Sequence, residues 1–213
     1  SLESLYGRES KMDFSNNRSE QLDNIAKLIS NIFHPFVVVI PTMVIAMVVQ
    51  DSTLLQSLAW TILSVCIVIV PMLFVIYAGV RSGRFSDASI SVREQRSSLY
   101  TLAALLLVLL LAILVLGKAP SVLIACLISA ILATVAGFAI NQRFTKLSLH
   151  SIGMAGSTTV LLLVMPLLGL AMTIFALLVG WARIRLKHHT PLQILIGWMV
   201  SAFSVLIVFY LFL

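Results

Sequence analysis

The sequence predicts an all-α fold, a polytopic transmembrane helix bundle of six to seven membrane segments preceded by an N-terminal amphipathic interfacial helix. Composition is the first reason: of 213 residues, 60% are hydrophobic and 10% charged, where a soluble domain carries about a quarter charged residues. Length of the apolar runs is the second, because about 20 mainly apolar residues cross a hydrocarbon core and several such runs follow one another here. The third is the brevity of the polar breaks, which leaves no room for a soluble module. One membrane domain over residues 33–213 is expected, after a polar segment over residues 1–32.

Within that polar segment, Ser1 to Ser10 read as tag-derived residues ahead of a start at Met12, and the thirty largely polar residues before the first apolar run do not form a secretory signal. From Ser19 to Ile32 the positions Leu22, Ile25, Ala26, Leu28, Ile29 and Ile32 recur at helical spacing opposite Glu20, Asp23, Asn24, Lys27 and Asn31. That pattern predicts an amphipathic helix on the membrane surface.

Four crossings follow, over Phe33–Val49, Leu58–Val80, Leu99–Leu116 and Pro120–Ile140, and a last one over Pro191–Leu213. Between them lies Ile152–Trp181, about thirty residues without charge, interrupted by Pro166. As one straight helix it would measure roughly 45 Å at 1.5 Å per residue, well beyond a core of about 30 Å. Charge decides in favour of a hairpin at Pro166. With it, thirteen of the fourteen Lys and Arg residues, Arg8 and Lys11 included, fall on one side and only Lys118 on the other. A single crossing would move Arg183, Arg185 and Lys187 across and weaken the bias. Lys and Arg concentrate on the cytoplasmic side, so an integral, multi-pass protein with a cytoplasmic basic face is expected. No charged residue falls within the apolar runs, which argues against an ion path. Cys66 and Cys126 lie inside apolar runs and act as small hydrophobes.

Three polar clusters share the basic face: residues 86–96, 146–150 and 183–193. Orientation accounts for their Lys and Arg, Arg81, Arg84, Arg185 and Lys187 above all. It does not account for His150, His188 and His189, since histidine contributes little to orientation and is expensive near lipid without a partner. His34, beside Pro35, reads as a helix-start residue, and His188 as an interfacial one. Trp60, Trp181 and Trp198 read as belt or packing aromatics, and Gly153 and Gly156 as a small-residue pair that lets helices approach.

Ala182-Arg183, five residues, His189, three residues, Gln193 resembles the Ser-Arg-x5-His-x3-Asp motif of the type 2 phosphatidic acid phosphatases, relatives of the vanadium haloperoxidases. Ser148-Leu149-His150 is similar to their Pro-Ser-Gly-His, and Arg96-Ser97 stands where they have Arg-Pro, with Ser89 at the position of their lysine and Arg93 a substitute cation. Gly197 and Trp198 after the third motif also look like the family, and the likeness spans roughly residues 80 to 213. An even number of crossings separates each pair of motifs when the chain turns at Pro166, so all three reach one face.

The resemblance implies a phosphatase acting on a lipid phosphate or isoprenoid diphosphate at the bilayer, with His189 as nucleophile, His150 as acid and then base, and Gln193 holding the second ring nitrogen of His189. Arg183, Arg93, Arg96 and Ser148 would bind phosphate oxygens, which suits the forked donors of arginine. No metal or cofactor is required and no nucleic-acid partner is expected. Gln193 and Leu149 depart from the family's Asp and Gly. A catalytically inactive relative that binds phospholipid or scaffolds membrane partners is therefore the alternative function.

Overall fold

A computed structural model describes residues 18–87, 90 and 92–212. The tag-like lead, Met12, Arg8, Lys11, Ser89 and Leu213 lie outside the described residues. Every regular element among the described residues is a helix, as a bilayer favours: without water, only a helix satisfies every backbone N–H and C=O within one segment. In order, the elements are α1 (Arg18–Ile32), α2 (Pro35–Val49), α3 (Leu54–Ser64), a π-helical turn (Val65–Ile69), α4 (Val70–Arg81), α5 (Arg96–Leu116), α6 (Ser121–Arg143), α7 (Leu149–Val164), α8 (Pro166–Arg185) and α9 (Pro191–Phe212).

Five stretches are long and apolar enough to cross a membrane: Leu54–Arg81, α5, α6, α8 and α9. The α1–α2 pair, bent by 44°, counts as a sixth if the two helices together form one broken span. The Leu54–Arg81 span starts four residues earlier than its apolar run, because Thr53 caps it: Thr53 Oγ1 accepts from Gln56 N at 3.2 Å while Gln56 Oε1 accepts from Thr53 N at 3.2 Å. Its π turn precedes Pro71. Proline has no N–H and crowds the carbonyl four residues back, and the wider turn, closed by Val70 N–H on Val65 O, carries the helix past that conflict.

The chain turns at Pro166. Met165 leaves helical geometry at φ −147° and ψ 75°, Pro166 opens α8 without needing a donor, and Gly169 lies so close to Leu162 that an added Cβ would sit 2.4 Å from its backbone N. At the other end of the hairpin Arg183 of α8 and His150 of α7 both reach Ser30. α7 and α8 are therefore antiparallel and the single long crossing is excluded. With 16 residues, α7 is about 24 Å long, short for a span. It tolerates this as the centre of the bundle, packed by α2, α8 and α9 and burying Ser151, Ser157, Thr158 and Thr159 on its flanks.

Small residues set these contacts. A Cβ on Gly153 would meet Pro35 Cβ at 2.6 Å, and one on Gly156 would meet Ser201 Oγ at 2.7 Å, so the two glycines serve α2 and α9 respectively. Trp60 covers Gly117 at the opposite face and Trp198 lies against Gly180. α1 keeps the exposed apolar side chains of an amphipathic helix and also packs on the bundle. Phe33 at its end stacks on Phe175 of α8 with centroids 4.8 Å apart, so α1 leans into the bundle alongside α8 while Ile25, Leu28 and Ile32 stay exposed.

Candidate phosphate site

Helix ends carry the site, and their caps aim it. Thr190 and Gln193 form a capping box at the start of α9: Gln193 N donates to Thr190 Oγ1 at 3.3 Å and Thr190 N donates to Gln193 Oε1 at 3.2 Å. The same Oε1 lies 3.1 Å from His189 Nδ1, and Gln193 Nε2 donates to Thr145 Oγ1 at 3.0 Å. With the amide oriented by Thr190 and Thr145, His189 is the donor to Oε1. The proton sits on Nδ1, and Nε2 keeps its lone pair with no hydrogen bond among the described residues.

His189 is buried at 6% exposure. Burial, and then the guanidinium groups of Arg96 and Arg183, press its pKa down to about 3 against the weaker opposing effect of the Gln193 carbonyl. The ring is neutral at neutral pH. Burial likewise lowers the pKa of Lys146 and His188, with Arg96 the next cause for Lys146 and Arg183 for His188.

Arg183 is 4% exposed in the last turn of α8. Its Nη1 donates to Ser30 Oγ at 3.1 Å, and its Nε, wholly buried, has no partner among the described residues. Arg96 is 4% exposed in the first turn of α5, donating Nε to Ile90 O at 2.7 Å and Nη1 to Leu147 O. It ties the α4–α5 loop to the α6–α7 loop as well as supplying charge. Arg96 and Arg183 both belong to helices that run on past the apolar limits of the sequence, so these spans do carry buried charge at their ends. Arg93 points elsewhere: its Nε donates to the carbonyl of Asn141 at the end of α6.

Ser148 is fully buried and caps α7, accepting from Ser151 N at 3.3 Å. Gly197 lets α9 press against this cap, an added Cβ there lying 3.3 Å from Ser151 Cβ and 3.5 Å from Ser148 O. His150, two residues on, has Nε2 3.2 Å from the carbonyl of Ser30. A carbonyl only accepts, so Nε2 carries the proton.

The structure therefore brings His189, Gln193, Arg183, Arg96, Ser148 and His150 to one end of the bundle, and turns Arg93 away. It adds four residues. His34 caps α2 through Nδ1, accepting from Phe36 N at 3.4 Å, and meets the His150 ring edge-on with centroids 5.0 Å apart, so the four histidines share one face. Lys146 and Asp87 enter through charge: Lys146 depresses His189, and Asp87 acts on Arg96, Arg183, His188 and Lys146 as the opposing carboxylate. The fourth, Ser30, comes from α1, which carries no motif. Lys146 and Asp87 were visible in sequence as members of the basic-face loops; nothing in the sequence marked Ser30.

A polar cavity of about 290 Å3 lies on the opposite face around Trp60, Gln56 and Lys118, and an apolar one of about 110 Å3 lies among α2, the π turn, α5 and α6. Neither touches the histidine cluster. Comparison with protein-family models, curated proteins and solved structures gives no match.

Proposed function

We propose that the protein is a membrane-embedded phosphatase that hydrolyses a lipid phosphate or an isoprenoid diphosphate through a phosphohistidine, as the resemblance of its motifs to the type 2 phosphatidic acid phosphatases implies. The observation that carries the reading is His189: a buried, neutral imidazole with Nδ1 held by Gln193 and no hydrogen bond to Nε2 among the described residues, beside buried Arg183, whose Nε has no partner among them either. A histidine that serves only packing or capping has no need of a buried guanidinium such as Arg183 beside it, which costs free energy where a donor such as its Nε goes unpaired.

The steps follow from charge and proton positions. Arg183, Arg96 and Lys146 bind the phosphoryl oxygens and stabilise the charge that spreads over them in transfer. The Nε2 lone pair of His189 attacks phosphorus in line. The substrate's terminal phosphate, bound as the monoanion, passes its proton to His150; the P–O bond to the leaving group breaks, and His150 hands that proton to the departing oxygen. His150, neutral again, takes a proton from water, whose oxygen attacks the phosphohistidine, and returns it to the inorganic phosphate released as His189 is restored. Gln193 keeps Nδ1–H directed throughout. Lipid tails remain between the helices and reach the site laterally, with the site on the cytoplasmic face as the Lys and Arg bias suggests.

Gln193 also favours a second reading. A neutral amide stabilises a developing imidazolium less than a carboxylate, and its place in the capping box gives it a structural duty. A catalytically silent relative that holds a phospholipid headgroup would keep these contacts. Phosphate release from a panel of lipid phosphates by purified protein separates the two: the hydrolase reading expects release that His189→Ala abolishes. Equal release by the two proteins sinks it.

A further inference from the structure

The geometry points to α1 as a gate that closes the phosphate site, with Ser30 occupying the place of the substrate's polar head until the helix swings away. The inference rests on the phosphatase reading above. Ser30 presents two oxygens to the two groups that substrate needs: its hydroxyl accepts from Arg183 Nη1 at 3.1 Å and its carbonyl faces His150 Nε2 at 3.2 Å. While His150 donates there, that proton cannot go to a leaving group. Ser30 is itself 4% exposed and Ala26, one turn earlier, is fully buried, so α1 seats directly over the site.

The fastenings of α1 are uneven along its length. At its inner end Phe33 stacks on Phe175, and Phe33 and Ile29 join the apolar cluster of Val38, Met154, Ala176 and Val179. The chain bends there by 44°, around His34, which is not helical. Among the described residues, the polar contacts of the outer end go to one side chain: Arg185 Nε donates to Asp23 Oδ1 at 2.7 Å, and Arg185 Nη2 donates to Ser19 Oγ at 2.8 Å and Ser19 O at 3.2 Å. Both partners of the ion pair are partly exposed, at 32% and 43%, so water and salt compete with it. An apolar pivot with a weak polar latch is the arrangement of a lid hinged at Phe33–His34. The exposed Ile25, Leu28 and Ile32 let the opened helix rest in the bilayer interface.

The experiment uses the full chain in nanodiscs, with Cys66→Ala and Cys126→Ala as background and dioctanoyl phosphatidate as probe. Ser30→Cys reports cover by its rate of modification with a water-soluble maleimide. Asp23→Arg, which sets two cations against each other, is expected to speed labelling about tenfold, and the swap Asp23→Arg with Arg185→Asp to slow it again. In the Ser30-containing protein, Asp23→Arg and Ser30→Ala are each expected to raise kcat/KM about tenfold, mainly through KM, with the swap restoring the wild-type value. Labelling that is the same in all three charge backgrounds overturns the gate, even where the enzyme turns over. A fall in kcat/KM for Ser30→Ala also overturns it, since Ser30 would then position Arg183 for catalysis. Labelling that follows the ion pair while no variant, wild type included, releases phosphate supports the gate and removes the hydrolase reading instead.

Discussion

Replacing Gln193 with glutamate changes the electronics of the site with little change in its shape. The Oε1 of Gln193 accepts from His189 Nδ1–H at 3.1 Å and from Thr190 N–H at 3.2 Å, and a glutamate carboxylate accepts both in the same geometry. Glutamate three residues after a threonine cap is itself the favoured capping partner. The one donated bond, to Thr145 Oγ1 at 3.0 Å, is recovered when the Thr145 hydroxyl rotates to donate. What changes is the bond to His189. A neutral hydrogen bond contributes about 0.5–1.5 kcal/mol and one to a charged group about 1.5–3 kcal/mol, a difference between midpoints of about 1.25 kcal/mol in favour of the imidazolium. That corresponds to about one pH unit on the His189 pKa and, on the proposed mechanism, about tenfold in the rate of forming phosphohistidine, a step that would develop positive charge on the ring. Stopped-flow or quench-flow measurement of phosphate release from dioctanoyl phosphatidate, beside a pH titration of the His189 ring by NMR, reads both. A variant that is folded, shows the raised ring pKa and turns over no faster than wild type refutes the reasoning, because the ring would then not acquire charge in the rate-determining step.

Arg183→Lys is expected to lose at least about a hundredfold in kcat/KM, because a lysine lacks the forked donors that serve Ser30 and a phosphate together; isothermal titration with inorganic phosphate should show the matching loss of affinity. His189 makes stability pH-dependent in a definite direction. Its folded pKa of about 3 lies below the ordinary value of about 6.5, so between those values the unfolded chain binds the extra proton. Its contribution is complete above about pH 6.5 and lost as pH falls toward 3, and thermal unfolding of wild type and His189→Asn across that window should show a shallower slope for the variant. Gly153→Ala places a Cβ 2.6 Å from Pro35 Cβ and 3.1 Å from Pro35 Cα. Forcing α2 from α7 is expected to cost about 1–3 kcal/mol, read as a lowered midpoint in detergent, whereas Gly83→Ala, with no atom within 4 Å of the added Cβ, tests backbone strain alone at its φ of 73°.

Much of the architecture was legible in the apolar runs, since a bilayer leaves the backbone few alternatives to helices. The Pro166 hairpin was legible from charge as well: only that turn returns Arg183 and Arg185 to the face of Arg81, Arg84 and Arg143. Helix limits were less so. Arg96 and Arg183 fall outside the apolar windows but inside α5 and α8, because a helix stops where its last carbonyls and first amides find other partners, a matter of caps such as Thr53, Ser148 and Thr190 more than of hydropathy. Of the site, His189 with Gln193 followed from a four-residue spacing within one helical turn. The choice between Arg93 and Arg96 did not, since each is one turn from the other and only the approach of Asn141 and Leu147 from the α6 end and its loop separates them.

By itself, then, the sequence determined that the chain is a membrane-embedded helical bundle with a basic, histidine-bearing face, because burial of apolar surface and the siting of charge depend on local composition. The tertiary structure decided what those histidines face. Ser30 meets Arg183 across 153 residues and His150 across 120, and no local pattern encodes such a meeting; it depends on α1 leaning along α8, which Phe33 and Phe175 settle by packing one ring on another.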